Sequence, residues 1–157
     1  MTAWIGIKRK HNDNYSEGAV LSNRKLAIGT ANISYATSLF KGKFGVNLGY
    51  EKGLKIFGAE IDDGKLSTTP MAQFDKYTLD MSYYKPVTEH FVYRANIYST
   101  FSNDTLYGSE RQSIGGVGSV GGYHRSTISG DKAIEIGNEI SYNIPIKKIA
   151  IVSPYFG

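Results

Sequence analysis

The chain has 157 residues, a length typical of one domain, and it combines 18 glycines and 12 tyrosines with no cysteine. No stretch approaches the roughly 18 consecutive apolar residues of a transmembrane helix, and this composition favours short strands over a helical bundle. The formal net charge is +4, but the 18 lysines and arginines are dispersed, so we expect no nucleic-acid partner.

Apolar and polar residues alternate along most of the chain, as they do in half-buried β-strands. Seven strands are predicted, at 2–9, 24–39, 44–51, 76–84, 91–102, 134–144 and from 149 onwards. The connections alternate in length, with short ones at 40–43, 87–90 and 145–148, a moderate one at 11–23, and long ones at 54–74 and 107–131. Brief turns on one rim and extended loops on the other are typical of an outer-membrane barrel.

The two faces of these predicted strands differ in chemistry. One face is apolar and aromatic, with rings near the strand ends that suit interfacial girdles, at Tyr35, Phe44, Tyr50, Tyr77, Tyr83, Phe91 and Phe101. The other face is polar and is predicted to line a lumen, through Asn47, Glu51, Asp80, Arg94, Asn96, Glu135 and Glu139. The pattern therefore predicts an all-β, antiparallel transmembrane β-barrel; its alternative is a soluble β-sandwich with one wet face.

The segment 107–131 contains seven of the 18 glycines. A connection of this length is usually functional or disordered, and its glycines permit a compact fold. Residues 116–121 match the dinucleotide fingerprint G-x-G-x-x-G, but no helix is predicted to follow them, which argues against nucleotide binding.

The order and spacing of several short motifs in this segment are specific. They are Gly108-Ser109-Glu110, Ser113-Ile114-Gly115-Gly116, Ser119-Val120-Gly121-Gly122-Tyr123 and Ser129-Gly130-Asp131, followed by Asn138-Glu139. Together they resemble the long inward-folded loop of the two-partner secretion transporters, the haemolysin-activator and filamentous-haemagglutinin-transporter family. Tyr50 to Ala59 also resembles a strand end of that family, which reads approximately Y-x-x-G-L-x-x-F-G-A.

The resemblance implies a barrel of about 16 strands in the bacterial outer membrane, of which residues 1–157 form a partial domain with about seven. Family members secrete and activate a large exoprotein, a haemolysin or an adhesin, without nucleotide hydrolysis or a cofactor. The expected partners are the exoprotein, outer-membrane lipid and the rest of the barrel. Met1 to Ile5 do not read as a signal peptide, and nothing resembles the family's periplasmic polypeptide-transport-associated domains. We therefore expect a fragment that lacks those domains and the last strands.

The resemblance also selects loop residues, and it contains one departure. The loop-motif residues are Glu110, Gly115, Gly116, Val120, Gly121, Gly122, Tyr123, Arg125, Gly130 and Asp131. The family places arginine where this chain has Gly121; that arginine folds into the lumen and pairs with an acidic residue of an F-x-D-x-G strand. Our hypothesis is that Arg125 partly replaces it, with Tyr123 as an apolar anchor.

Other functions find less support in the sequence. A passive porin or an adhesion barrel would share the strand pattern, although a porin would be expected to carry charged residues in its constricting loop. We predict no enzyme and no metal site, since His11, His90 and His124 lack ligand spacing. Glu135 and Glu139 could form a glycosidase-like pair, but a polar lumen explains them more simply. Glu60, Asp62 and Asp63 do not follow the calcium-loop pattern and are predicted to lie in a solvated loop.

Overall fold

A computed structural model describes residues 1–16, 19–115, 127–146, 150–152 and 155–156. These residues form strands and irregular connections, and within them no helix is long and apolar enough to cross a membrane. The strands are β1 (Thr2–Ser16), β2 (Ala19–Leu39), β3 (Gly42–Leu54), β4 (Asp75–Pro86), β5 (Phe91–Ser102), β6 (Gln112–Gly115), β7 (Thr127–Gly130), β8 (Lys132–Tyr142), β9 (Ile144–Ile146), β10 (Ala150–Val152) and β11 (Tyr155–Phe156).

One seven-stranded sheet contains the long strands, in the order β1-β2-β3-β4-β5-β8-β11. Every neighbouring pair in it is antiparallel, which confirms the all-β antiparallel prediction. β6 pairs with β7, and β9 with β10, in two separate hairpins. Within the described residues β1 and β11 remain edges of the sheet, so this part of the chain does not close into a barrel by itself.

Three of the predicted connections are confirmed. Leu39 pairs with Gly42, so the first short turn consists of Phe40 and Lys41. Both residues have positive φ, 48° and 63°, the conformation that lets a two-residue hairpin follow the twist of its strands. The connection 87–90 joins β4 to β5, and 55–74 joins β3 to β4.

One predicted connection is wrong and another is displaced. The segment 11–23 is mostly strand, because the β1–β2 ladder continues past His11 and crosses a bulge at Asn14 and Tyr15. Backbone pairing over this long hairpin outweighs the turn preference of individual residues. The turn predicted at 145–148 is displaced, since Pro145 and Ile146 lie within β9 and pair antiparallel with Ile151 and Ala150 of β10. Proline is tolerated there because both strands of a two-stranded hairpin are edges. The link from β8 to β11 is therefore 143–154.

The register of the sheet assigns each side chain to a face. Ser34, Asn47, Asp80, Tyr98 and Glu135 lie opposite one another across five strands, and Arg94 lies opposite Glu139. By the same register all seven polar-face residues predicted from the sequence share one side, which we call the polar face. On the reverse, apolar face, large side chains are open to the surroundings, including Ile33, Leu48, Ile134 and Ile136, which are 46%, 52%, 60% and 63% exposed. A soluble sandwich would cover such a band.

The apolar core lies at the end of the polar face where the long connections leave the sheet, here called the loop end. Six buried residues form one cluster, namely Leu26, Ile28, Ala72, Phe74, Leu106 and Tyr107. Gly53 permits the close approach of the 55–74 connection, because a Cβ atom there would lie 1.8 Å from the Ala72 carbonyl oxygen. The Gly53 amide donates to the Phe74 carbonyl at 2.8 Å. The core thus joins β2 to both long connections.

Candidate functional site

The connection between β5 and β8, residues 103–131, turns back over the polar face in its described segment 103–115. Its base is the β6–β7 hairpin, in which Ile114 lies opposite Ile128 and Gln112 opposite Gly130. Gln112 and Ser113 line a cleft of about 570 Å³ together with polar-face residues at the middle of the strands, namely Asp80, Asn96, Tyr98, Thr100, Glu135 and Gly137. The hairpin base therefore lies over the middle of β4, β5 and β8 and not above the loop end.

Glu110 fixes the first part of this connection to the sheet. It is 5% exposed. Its carboxylate accepts a hydrogen bond from the Lys10 ammonium at 2.7 Å and lies 3.6 Å from that of Lys76. Lys76 also donates to the Glu110 carbonyl oxygen at 3.3 Å, and the Ser109 hydroxyl donates to the carboxylate at 3.1 Å. A buried carboxylate with this many partners holds its segment in one position.

The ion pairs of Glu110 extend into the wall of the sheet. Lys76 contacts Glu51 at 2.5 Å, and Glu51 also accepts from Lys8 at 2.9 Å. We call Lys8, Lys10, Glu51, Lys76 and Glu110 the inner ion-pair network. It connects β1, β3 and β4 with the 103–131 connection. The positive charges of its three lysines are nearly balanced by the negative charges of its two glutamates. Such mutual compensation is what makes the burial of charges tolerable.

Asp131 joins the two ends of the same connection. One of its carboxylate oxygens accepts from the Leu106 amide at 3.0 Å and from the Arg111 guanidinium at 2.9 Å. Its backbone carbonyl accepts from the Ser102 amide at 3.0 Å, next to the end of β5. Asp131 thus links the end of β5, where the chain leaves the sheet, to the start of β8, where it returns. This contact brings the bases of β6 and β7 together.

The 55–74 connection supports this arrangement from the side. The Lys65 ammonium donates to Glu60 at 2.7 Å, to Asp62 at 2.8 Å and to the Tyr107 hydroxyl at 3.1 Å. The Met71 amide donates to the Thr105 carbonyl at 2.8 Å. The two long connections therefore form one unit, in which Tyr107 belongs both to the apolar cluster and to the polar contacts.

Asp62 is the main acceptor within the 55–74 connection, which corrects its predicted place in a solvated loop. It accepts from the Ala72 amide at 2.9 Å and from the Gln73 amide at 2.5 Å. Partial burial opposes ionisation, but these amides and the Lys65 ammonium outweigh it and hold the pKa of Asp62 below its ordinary value. A lysine lies between Glu60 and Asp62, and the described residues contain no acidic or histidine cluster that could hold a metal ion.

The middle of the polar face is more open. Ser34 donates to Asn47 at 2.8 Å, and Asn47 donates to Asp80 at 3.1 Å, so a short polar ladder crosses β2, β3 and β4. Beside it, Asn47, Asp80 and Tyr98 line a cleft of about 420 Å³. Towards the turns, Arg94 bonds Glu139 at 2.5 Å and Ser141 at 2.9 Å. Glu139 is therefore an ion-pair partner of Arg94, whereas Glu135 lines the larger cleft.

The structure describes four of the predicted loop-motif residues. Glu110 and Asp131 anchor the connection, while Gly115 and Gly130 end β6 and β7. Gly116, Val120, Gly121, Gly122, Tyr123 and Arg125 lie outside the described residues. Sequence reasoning did not select Lys10, Lys76 or Tyr107. Alternation puts Lys76 on the polar face of its predicted strand with Glu51, and it would put Lys10 there if the first predicted strand, 2–9, were continued by one residue. Their partner Glu110 is distant in sequence.

Comparisons with known proteins agree on one family. The family model for haemolysin secretion/activation protein ShlB/FhaC/HecB matches residues 1–157. Outer membrane transporter CdiB of Dickeya dadantii (strain 3937) is 34% identical over 144 residues, which are 90% of this chain and 26% of that protein. Hemolysin transporter protein HpmB of Proteus mirabilis is 28% identical over 138 residues, 83% of this chain and 24% of that protein.

A solved structure of CdiB from Escherichia coli superposes with a TM-score of 0.89 at 29% identity, covering 96% of this chain and 29% of that one. The chain spans about a quarter of the length of the curated relatives it matches. Its sheet is thus similar to one part of a solved transporter.

Proposed function

Because the chain belongs to the haemolysin secretion/activation protein family ShlB/FhaC/HecB, a family of outer-membrane transporters rather than enzymes, we propose that it forms part of the wall of an export barrel. The barrel would contain about 16 strands, with the apolar face of this sheet towards lipid and the polar face towards the lumen. We call this barrel, made of these 157 residues and the remaining strands, the complete transporter.

The observation that supports this proposal most directly is the path of residues 103–131. Its described segment 103–115 turns over the polar face instead of extending away from the sheet, and Gln112 and Ser113 lie over the middle of the strands. A segment in that position reduces the lumen at rest and must accommodate a passing polypeptide. Its ion-paired anchors, Glu110 and Asp131, lie at the loop end and not in the middle of the polar face, where the cargo would pass.

The proposed cargo is a large secreted exoprotein, a haemolysin or an adhesin, that crosses in an extended conformation without nucleotide hydrolysis. Ser34, Asn47 and Asp80 offer hydrogen-bonding groups along the wall, and such groups suit the unpaired backbone of an extended chain. Activation of the cargo during export is part of the same proposal. Tyr123 and Arg125 remain our candidates for holding the tip of the connection in place of the family arginine.

The test uses two adjacent residues on opposite faces of β3. The chain contains no cysteine, so Val46→Cys and Asn47→Cys can each be introduced without a competing thiol from these residues. In the complete transporter we expect a membrane-impermeant maleimide to label Asn47→Cys and not Val46→Cys. A stalled exoprotein carrying one cysteine should crosslink to Asn47→Cys alone.

Labelling of Val46→Cys in preference to Asn47→Cys would reverse the assigned faces. Correct labelling with ion conductance, but without export of any exoprotein or crosslinking to one, would instead favour a passive porin.

A further inference from the structure

The apolar face ends in a row of basic residues at the loop end. Moving from the middle of the strands, the aliphatic side chains give way to rings, with Tyr50 opposite Tyr77 and Tyr77 opposite Phe101. The ring centroids of Tyr50 and Tyr77 lie 5.1 Å apart. In line with these rings or beyond them, the same face carries four cations, namely Arg9, Lys25, Lys52 and Lys132. We call these four residues the basic rim.

Three cations of the basic rim have no carboxylate partner among the described residues. Lys52 bonds both oxygens of Asp75, at 2.9 and 3.1 Å, and is neutralised. The Arg9 guanidinium instead lies 5.5 Å from the centre of the Phe57 ring, and the Lys132 ammonium lies 4.6 Å from that of Phe101. The Lys25 side chain is exposed. The rim therefore carries an excess of positive charge at the edge of an apolar band.

Phe57 extends this surface. It is 59% exposed, and its backbone has a φ of 54°, which an L-residue adopts only when neighbouring structure holds it. Gly58 follows with a φ of 69°, so the two residues form a tight left-handed bend that presents the ring beside Arg9. An exposed ring next to an arginine matches an interface between hydrocarbon and charged headgroups.

The opposite end of the apolar face differs. There the rings pair with one another, as Phe91 does with Tyr142 at 4.8 Å and Tyr83 with Tyr93 at 6.3 Å. Near these rings, Lys85 is the one basic residue that the described strands carry on the apolar face. Among the described residues of the apolar face, cations are thus concentrated at the end with the long connections, which in outer-membrane barrels faces the outside of the cell.

We propose that the basic rim binds the phosphate groups of an anionic glycolipid in the outer leaflet. The inference rests on the proposed function, since it requires the apolar face to meet lipid with the long connections outside. Arginine offers a planar pair of donors that fits a phosphate, and lysine offers a point charge beside it. Arg9 and Lys25, on neighbouring strands, form the centre of the site.

The experiment measures lipid affinity of the detergent-solubilised complete transporter by titration with fluorescent diphosphoryl lipid A. Each cation near an anionic surface contributes about fivefold in affinity, so R9Q/K25Q should weaken binding by about 25-fold. The matched control is K41Q/K85Q, which removes two lysines at the turn end, and it should retain parental affinity. Lipid A stripped of both phosphates should bind the parent no better than it binds R9Q/K25Q.

Parental affinity in R9Q/K25Q, an equal loss in K41Q/K85Q, or equal binding of phosphate-free lipid A would each overturn the site. Cysteine labelling of Val46 and Asn47 distinguishes this failure from failure of the proposed function. Correct labelling with unchanged lipid affinity rejects only the basic rim, whereas reversed labelling rejects the membrane orientation on which it rests.

Discussion

Two regions of the polar face, equal in sequence pattern, differ in what covers them. At the loop end, Phe74 and Leu106 are fully buried and the charged Lys76 and Glu110 are 8% and 5% exposed. In the middle of the strands, Tyr98 is 45% exposed and borders both clefts. The loop end resembles the interior of a soluble protein, while the middle resembles the wall of a water-filled passage.

The difference shows that alternation sets the face of a residue but not its environment. Leu26 and Ile28 share the polar face of β2 with Ser34, yet they belong to the buried cluster because Ala72, Phe74 and Leu106 cover them. The covered region can hold the 103–131 connection in one place, and the open region can admit a moving chain. The predictions below test whether these two roles are separable.

The largest effect is expected at the centre of the buried cluster. Phe74→Ala removes a ring that is fully buried and should lower the free energy of unfolding of the complete transporter by about 3–5 kcal/mol. Tyr98→Ala, in the open middle, should cost less than about 1 kcal/mol. Urea unfolding of the refolded barrel, followed by its electrophoretic mobility, measures both. Equal losses would mean that the middle is as tightly packed as the loop end.

The two faces of β3 give the next contrast. Val46→Arg puts a charge on the apolar face and should cost about 2–4 kcal/mol if the residue lies near the bilayer midplane. Asn47→Arg should be tolerated, because the new side chain meets water and the Asp80 carboxylate. The same unfolding assay in lipid vesicles compares them. Comparable destabilisation of the two variants would contradict the assigned register.

Glu110→Gln tests the inner ion-pair network. It keeps the shape of the side chain but removes the charge that Lys10 and Lys76 neutralise, and charged hydrogen bonds of this kind contribute about 1.5–3 kcal/mol. We expect faster proteolysis within 103–131 and reduced export. Glu135→Gln, in the open middle, is the control and should leave proteolysis unchanged. A network that only stabilises the sheet would leave proteolysis of the connection at the parental rate in both variants.

The smallest effect concerns Asp62 and pH. Its pKa lies below the ordinary value of 3.8, so its contribution to stability is complete above that pH and is lost as pH falls through the lower value in the folded protein. Hydrogen exchange at the Ala72 and Gln73 amides should therefore lose protection under acid, relative to amides of β4. Asp62→Asn should show the weaker protection already at neutral pH and remove its acid dependence. Protection that is independent of pH in the parent would exclude this role for Asp62.

Much of the fold was predictable because strand alternation is a local property. The faces of β3, β4 and β5, the turn at 87–90 and the long connection at 55–74 all follow from side chains a few residues apart. The same local reading was wrong at 11–23, because it cannot detect that a partner strand continues the ladder through turn-forming residues. It also misplaced the start of the turn at 145–148, since Pro145 and Ile146 pair with residues that follow later in the chain.

By itself the sequence determined most of the long strands, their polar and apolar faces, and the motifs that contain Glu110 and Asp131. The tertiary structure alone decided what these two acids do. Glu110 meets Lys10 across 100 positions of the chain, and Asp131 meets Leu106 and Arg111 across a connection that must first fold back on the sheet. The physical reason is that alternation fixes direction through the backbone of one strand, whereas the burial and pairing of a charge depend on which distant segment arrives beside it.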